Sequence, residues 1–162
     1  VRLVQIVGYL NELRPIQHPL TKTNENELKR TSDIYLGLDV HKAETVISIL
    51  ESDRDAEPRH YGNISTTQFS LERAIRRIAK KQNRELSNLH VCYEASGCGF
   101  WIARRLLQMG VRCDVIAPSL IPVKSGDRVK TDKRDAMKLA KSLRSNDLVP
   151  VNIPDSVDAR HD

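Results

Sequence analysis

Between Ile34 and Arg144 the apolar residues fall into an ordered series of short runs, and that order constrains the fold more than any other feature. Ile34–Val40 (IYLGLDV) and Thr45–Leu50 (TVISIL) are compact and rich in β-branched residues, so they predict two strands joined as a hairpin through His41–Glu44. A third strand is expected over His60–Ile64, after the charged turn Glu51–Arg59, which reads as a solvated loop. Thr67 is placed to cap a helix reaching about Lys81, with Leu71, Ala74, Ile75, Ile78 and Ala79 as its inner stripe. Its outer face of Arg73, Arg76, Arg77, Lys80 and Lys81 reads as a solvated surface, at most a secondary contact to phosphate backbone. Leu89–Ala95 lacks alternation, as a strand covered on both faces does. A helix over Phe100–Met109, closed by Gly110, then a strand over Cys113–Ala117, a loop over Ser119–Lys130 and a last helix from Thr131 complete the series. Three strands followed by alternating helix and strand predict an α/β fold: a mixed five-stranded sheet with helices on its faces.

With 162 residues the chain has the length of one domain. Val1–Leu13 can form a short amphipathic helix, but PIQHPLTKTNENELKRTSD after it is polar and Pro-punctuated, so residues 1–33 are expected to be a flexible leader. The domain is expected over residues 34–154, with 155–162 as a tail. Cys92, Cys98 and Cys113 are odd in number and lack CxxC spacing, which argues against a disulfide framework or a zinc site and for a reducing compartment. No apolar run is long enough to span a bilayer and the opening residues lack a signal-peptide pattern, so the chain is expected to be soluble and not membrane-bound.

The basic residues are not spread evenly. The run Lys124–Arg144 (KSGDRVKTDKRDAMKLAKSLR) carries an excess of +5, equal to the formal net charge of the whole chain. Such a local cationic run favours a polyanionic partner, nucleic acid rather than a membrane surface, because no aromatic anchors accompany it. From Thr131 the run reads as a helix whose apolar arc is Ala136, Leu139, Ala140 and Leu143. Asp132 falls inside that arc one turn earlier and Asp135 on its edge, while Lys133, Arg134, Lys138, Lys141 and Arg144 form an opposite ridge. Helix-end electrostatics alone accounts for acids in a first turn, at roughly 0.3–1 kcal/mol each.

Two further acids alter that balance. Asp39 lies near the end of the first strand and Glu94 near the end of the fourth. If those strands are neighbours, both acids converge where a mixed sheet gathers ligands, and Asp132 and Asp135 can complete the cluster. Four ionised carboxylates so placed repel one another unless divalent cations sit among them, and hard oxygen ligands suit Mg²⁺ or Mn²⁺. Two ions roughly 3.5–4 Å apart would bridge a scissile phosphate.

The motifs YLGLDVHK with Asp39, HVCYEASG with Glu94, and KTDKRDAMKLA with Asp132 and Asp135 resemble the DEDD signature of insertion-sequence-110-type transposases, in their RuvC-like amino-terminal domain. The resemblance covers about Asp33–Pro154. It implies a ribonuclease H-like fold, with Asp39, Glu94, Asp132 and Asp135 as catalytic acids that bind two Mg²⁺ or Mn²⁺ ions, and the processing of DNA strands in transposition or recombination. It also implies a homo-oligomer, a structured guide RNA, and a place in the cytoplasm of a prokaryotic cell, associated with the nucleoid when bound to DNA. Members of the family pair this domain with a carboxy-terminal one that supplies a nucleophilic serine. This chain stops at Asp162, and Ser96, Ser119 and Ser125 have no activating neighbours, so a truncated copy or a fragment is expected, incomplete as an enzyme by itself.

Lys124, Arg128 and Lys130 before the last helix, and Lys133, Arg134, Lys138 and Lys141 on it, are the candidate nucleic-acid contacts. His41, two residues after Asp39, reads as a loop histidine, and Phe100 and Trp101 as core packing at a helix start. The alternatives to a strand-processing domain are a DNA- or RNA-binding or oligomerisation module without chemistry, and an inactive transposase remnant.

Overall fold

The computed structural model describes residues 32–95, 97–117 and 131–154. Strands β1 (Ile34–Val40), β2 (Glu44–Glu51) and β3 (Arg59–Ser65) lead into α1 (Gln68–Gln82) and a 3₁₀ turn at Leu86–Asn88. Then follow β4 (Leu89–Glu94), α2 (Trp101–Gln108), β5 (Arg112–Ile116) and α3 (Asp132–Arg144). The expected strands and helices of this range are all present, with the 3₁₀ turn as an addition. The expected Val1–Leu13 helix and the Ser119–Lys130 loop lie outside the described residues.

The five strands form one sheet in the order β3-β2-β1-β4-β5. β2 pairs antiparallel with both β1 and β3, whereas β4 runs parallel to β1 and β5 parallel to β4. This is the mixed five-stranded sheet predicted from the apolar runs. From central β1 the chain departs on one side by a hairpin to β2, and the crossover through α1 returns on the other side to β4. The carboxyl ends of β1 and β4 therefore flank a topological switch. Among the described residues no helix is long and apolar enough to cross a membrane.

Each face of the sheet is covered for a reason legible in β1. Ile34, Leu36, Leu38 and Val40 alternate onto one face and join Leu71, Ile75 and Ile78 of α1 and Ile102 and Leu106 of α2 in the main core. Tyr35, Gly37 and Asp39 alternate onto the other face, where Leu139 and Leu143 of α3 pack with Cys92 and Ile116. Both long helices start on a threonine: Thr67 Oγ1 accepts from the Ser70 amide at 3.2 Å, and Thr131 Oγ1 from the Arg134 amide at 3.4 Å.

The seating of α3 depends on a residue with no side chain. A Cβ at Gly37 would lie 2.0 Å from the Ala136 carbonyl oxygen, 2.7 Å from the Ala140 amide nitrogen and 3.0 Å from the Leu139 Cβ. The helix backbone thus rests directly on the strand, with the small residues Ala136 and Ala140, both fully buried, along the seam.

The far end of α3 is tied down. Arg144 Nη1 donates to the carbonyls of Glu51 at 3.3 Å, Asp53 at 2.7 Å and Ala56 at 2.9 Å. Lys141 Nζ lies 2.7 Å from Glu57 Oε2. The Glu51–Arg59 turn is therefore more than a solvated loop, and Arg144 leaves the outward ridge to hold it. The cause is a convergence of backbone carbonyls, which residue type does not reveal.

Gly37→Ala is expected to lower stability by about 1–3 kcal/mol or more through overpacking against α3, read as a lower urea midpoint with an unchanged m-value. A wild-type midpoint would show that α3 does not rest on β1 as described.

Candidate metal centre

The acid end is assembled by strand register. β1 and β4 are paired through Leu38 and Tyr93, so the next residues lie side by side at the carboxyl ends of two adjacent parallel strands, Asp39 as the last but one of β1 and Glu94 as the last of β4. Alternation places both on the face covered by α3: Asp39 follows Gly37, and Glu94 follows Cys92, whose Sγ lies 3.5 Å from the Leu139 carbonyl oxygen. The condition set by the sequence, that the first and fourth strands be neighbours, is met. α3 brings Asp132 and Asp135 to the same end in its first turn.

His41 joins them. Its Nε2 lies 3.2 Å from Asp39 Oδ2 and 3.6 Å from Asp132 Oδ1. One ligand atom from each of Asp39, His41 and Asp132 lies within 4.8 Å of the others, a donor set able to hold a metal ion. With Asp39 ionised, its oxygens only accept, so Nε2 must carry the proton of this hydrogen bond. The turn holding His41 is firmly built. Its amide donates to the Glu44 carbonyl at 2.9 Å. Its own carbonyl accepts from Thr66 Oγ1 at 2.8 Å, leaving Thr45 Oγ1 as the donor in the 2.8 Å bond between the two threonines. His41 is a loop residue, as expected, but its ring reaches back to the acids. The DVH spacing was the available signal, since it sets the histidine just beyond the strand end.

The acids differ in burial. The Asp39 side chain is 18 % exposed and that of Asp132 is 58 % exposed. Asp135 is half-buried, and its Oδ2 is enclosed without a hydrogen-bond partner among the described residues. The helical arc put Asp132 deeper than Asp135; in the fold Asp132 is the first helical residue and Asp135 the better enclosed. Burial pushes the Asp39 carboxyl above its ordinary value; the charge and hydrogen bond of His41 pull it down, and the charges of Asp132 and Asp135 push it up again.

Two of these features fit a divalent cation. A carboxylate oxygen shut away from water with no donor is costly unless a positive charge faces it, which is the condition of Asp135 Oδ2. The cluster also supplies mainly hard oxygen donors, the set that Mg²⁺ and Mn²⁺ prefer.

Of the candidate nucleic-acid contacts, Lys133 and Arg134 are exposed in the same helical turn as Asp132, Lys138 is half-buried, and Lys141 is paired with Glu57. Lys124, Arg128 and Lys130 lie outside the described residues, as do Ser96, Ser119 and Ser125. Phe100 and Trp101 pack against the main core, and all three cysteines are free thiols.

The family model for insertion-sequence-110 DEDD proteins, described as Transposase, matches residues 36–159. A protein of Sinorhizobium fredii described as transposase y4qE is 37% identical over 137 residues, which is 85% of this chain and 34% of that protein. The transposase for insertion sequence element IS1533 of Leptospira borgpetersenii is 37% identical over 117 residues, 69% of this chain and 31% of that protein. The chain thus spans about a third of the length of these relatives. Among solved structures, Thermus thermophilus RuvC aligns with a TM-score of 0.44 at 12% identity, covering 73% of this chain and 99% of that one.

In metal-free protein the folded state binds the Asp39 proton more tightly than the unfolded state does, so this residue's contribution to stability falls as pH rises from its unfolded-state value through its folded one. Asp39→Asn is therefore expected to raise the melting temperature in EDTA at about pH 7, and the gain should shrink towards about pH 3, where both side chains are neutral. An equal gain at both pH values would contradict an electrostatic origin.

Proposed function

Because the chain belongs to the insertion-sequence-110 family of DEDD transposases, we propose that its acid end is a divalent-metal site that processes a DNA strand during transposition or recombination. The observation that carries this reading is the convergence of Asp39, His41 and Asp132, beside the unpartnered oxygen of Asp135, where β1 and β4 end.

In this reading Asp39, Glu94, Asp132 and Asp135 are the catalytic acids and together hold Mg²⁺ or Mn²⁺, as two ions. Such ions neutralise charge developing on a scissile phosphate and lower the pKa of an attacking hydroxyl or water. The chain's own part is to fix the ligands before the substrate arrives. Asp39 and Glu94 are set by strand register, and Asp132 and Asp135 by the rest of α3 on Gly37. His41 supplies a hydrogen bond to Asp39 and limits repulsion between Asp39 and Asp132. Lys133 and Arg134, projecting from the turn that carries Asp132, hold flanking phosphates of the DNA, together with Lys124, Arg128, Lys130 and Lys138. Lys141 takes part by exchanging Glu57 for phosphate.

A ligand that binds only the folded state adds about 2.7 kcal/mol of stability at a hundred times its Kd. Mg²⁺ or Mn²⁺ is therefore expected to raise the melting temperature, and Asp39→Asn combined with Asp132→Asn should abolish the shift. An unchanged melting temperature with either ion overturns the metal site. DNA binding that persists after loss of all four acids, without any metal response, would instead identify a module with no chemistry.

A further inference from the structure

At the outer edge of the sheet, β3 and α1 enclose a groove of about 510 Å³. Arg73, Arg77 and Lys81 line it from α1, Tyr61, Asn63 and Ser65 from β3, and among the described residues no carboxylate lines it. The three cations are exposed and spaced one helical turn apart, about 6 Å per step along the axis. Glu72, the acid next to Arg73, is taken by Arg105 at 2.7 Å. Among the described residues no acid forms an ion pair with Arg73, Arg77 or Lys81. One turn before Arg73 stands Phe69, 73% exposed although it is a large apolar ring.

Two features of β3 decide what such a groove suits. β3 is the edge strand, but its ladder is broken: Ile47 pairs with Gly62 and Ser48 with His60, so Tyr61 is an extra, unpaired residue. A bulge of this kind re-aims a side chain and spoils the edge for an added peptide strand. Tyr61 accordingly lines the groove. In the same register Asp39 pairs with Val46, and Val46 with Asn63. β3, the outer wall of the groove, thus lies two strand spacings, about 10 Å along the sheet, from the acid end, with α1 on the opposite face of the sheet from α3.

We propose that this groove binds a single-stranded stretch of DNA that passes round the β3 edge from the strand presented to the acids on the other face of the sheet; the choice of DNA rests on the function proposed above. Arg73, Arg77 and Lys81 take successive phosphates, and the exposed ring of Phe69 offers a face on which a base stacks, the combination that single strands require. Asn63 and Ser65 add neutral hydrogen-bonding groups where the strand enters.

Fluorescence anisotropy of a labelled single-stranded DNA of about 15 nucleotides, titrated in EDTA over a range of KCl, tests the groove without engaging the metal site. For the 162-residue chain, Arg73→Gln with Arg77→Gln and Lys81→Gln is expected to weaken binding by tenfold or more at low salt and to flatten the slope of log K against log salt by about 2, at ~0.7 for each phosphate no longer neutralised. Phe69→Ala is expected to weaken binding several-fold with the slope unchanged. Asp39→Asn with Asp132→Asn should leave binding in EDTA undiminished, so failure of the metal site and failure of the groove are told apart. Wild-type affinity and slope in the triple variant overturn the groove. Tenfold tighter binding of RNA of the same sequence, or equally tight binding of a poly-glutamate peptide, overturns the assignment to DNA.

Discussion

The acid end rests on the direct contact between α3 and β1 at Gly37. Two acids come from the ends of strands and two from a helix that begins 93 residues after Asp39 and 38 after Glu94, so their mutual distances are set by how closely helix and sheet approach. Any side chain at Gly37 would enter the backbone of α3, with its nearest contact at 2.0 Å. Ala136 and Ala140 continue the same logic on the helix side, keeping the seam shallow where Leu139 and Leu143 fill the space beside it. The position of the carboxylates follows from packing, and the electrostatic tension among them follows from that position.

Much of this was legible in the sequence, because the signals involved are local. The strands announce themselves through β-branched runs, and Thr67 caps the helix it was read to cap. The apolar arc of α3 is the buried one, and Asp39 of β1 and Asp132 of α3 come within ligand distance of each other and of His41. What stayed hidden depends on partners remote in sequence. A glycine in IYLGLDV announces nothing until a helix lies on it. The depth of Asp135 relative to Asp132 depends on where the helix begins over the sheet, which angular position alone does not supply. His41 reads as an ordinary loop residue until its turn is closed by Thr66 from the end of β3. The bulge at Tyr61 is a property of pairing with β2 and leaves no mark in composition.

The positive charge is divided by use in a way that net charge conceals. At the end of α3, Lys141 and Arg144 are engaged inside the molecule by Glu57 and by three carbonyls. On α1, where the sequence suggested little beyond a solvated face, Arg73, Arg77 and Lys81 border an acid-free groove. A cationic run in sequence and a cationic surface in space are therefore different objects here. Which lysine or arginine remains available to a polyanion is decided by where carboxylates and carbonyls happen to converge.

The grip of Arg144 on the β2–β3 turn has a mechanical side. α3 is 13 residues long, about 20 Å, with its acids at one end and this clasp at the other. Gly37 sits between them as a bearing on which the rod rests. Lengthening or shortening the hairpin turn by a residue would shift the anchored end, and the rod would pass that shift to Asp132 and Asp135 as a change of tilt. The turn, though remote from the acids, thereby belongs to their alignment, and its length is held to a narrower tolerance than an exposed hairpin would ordinarily require.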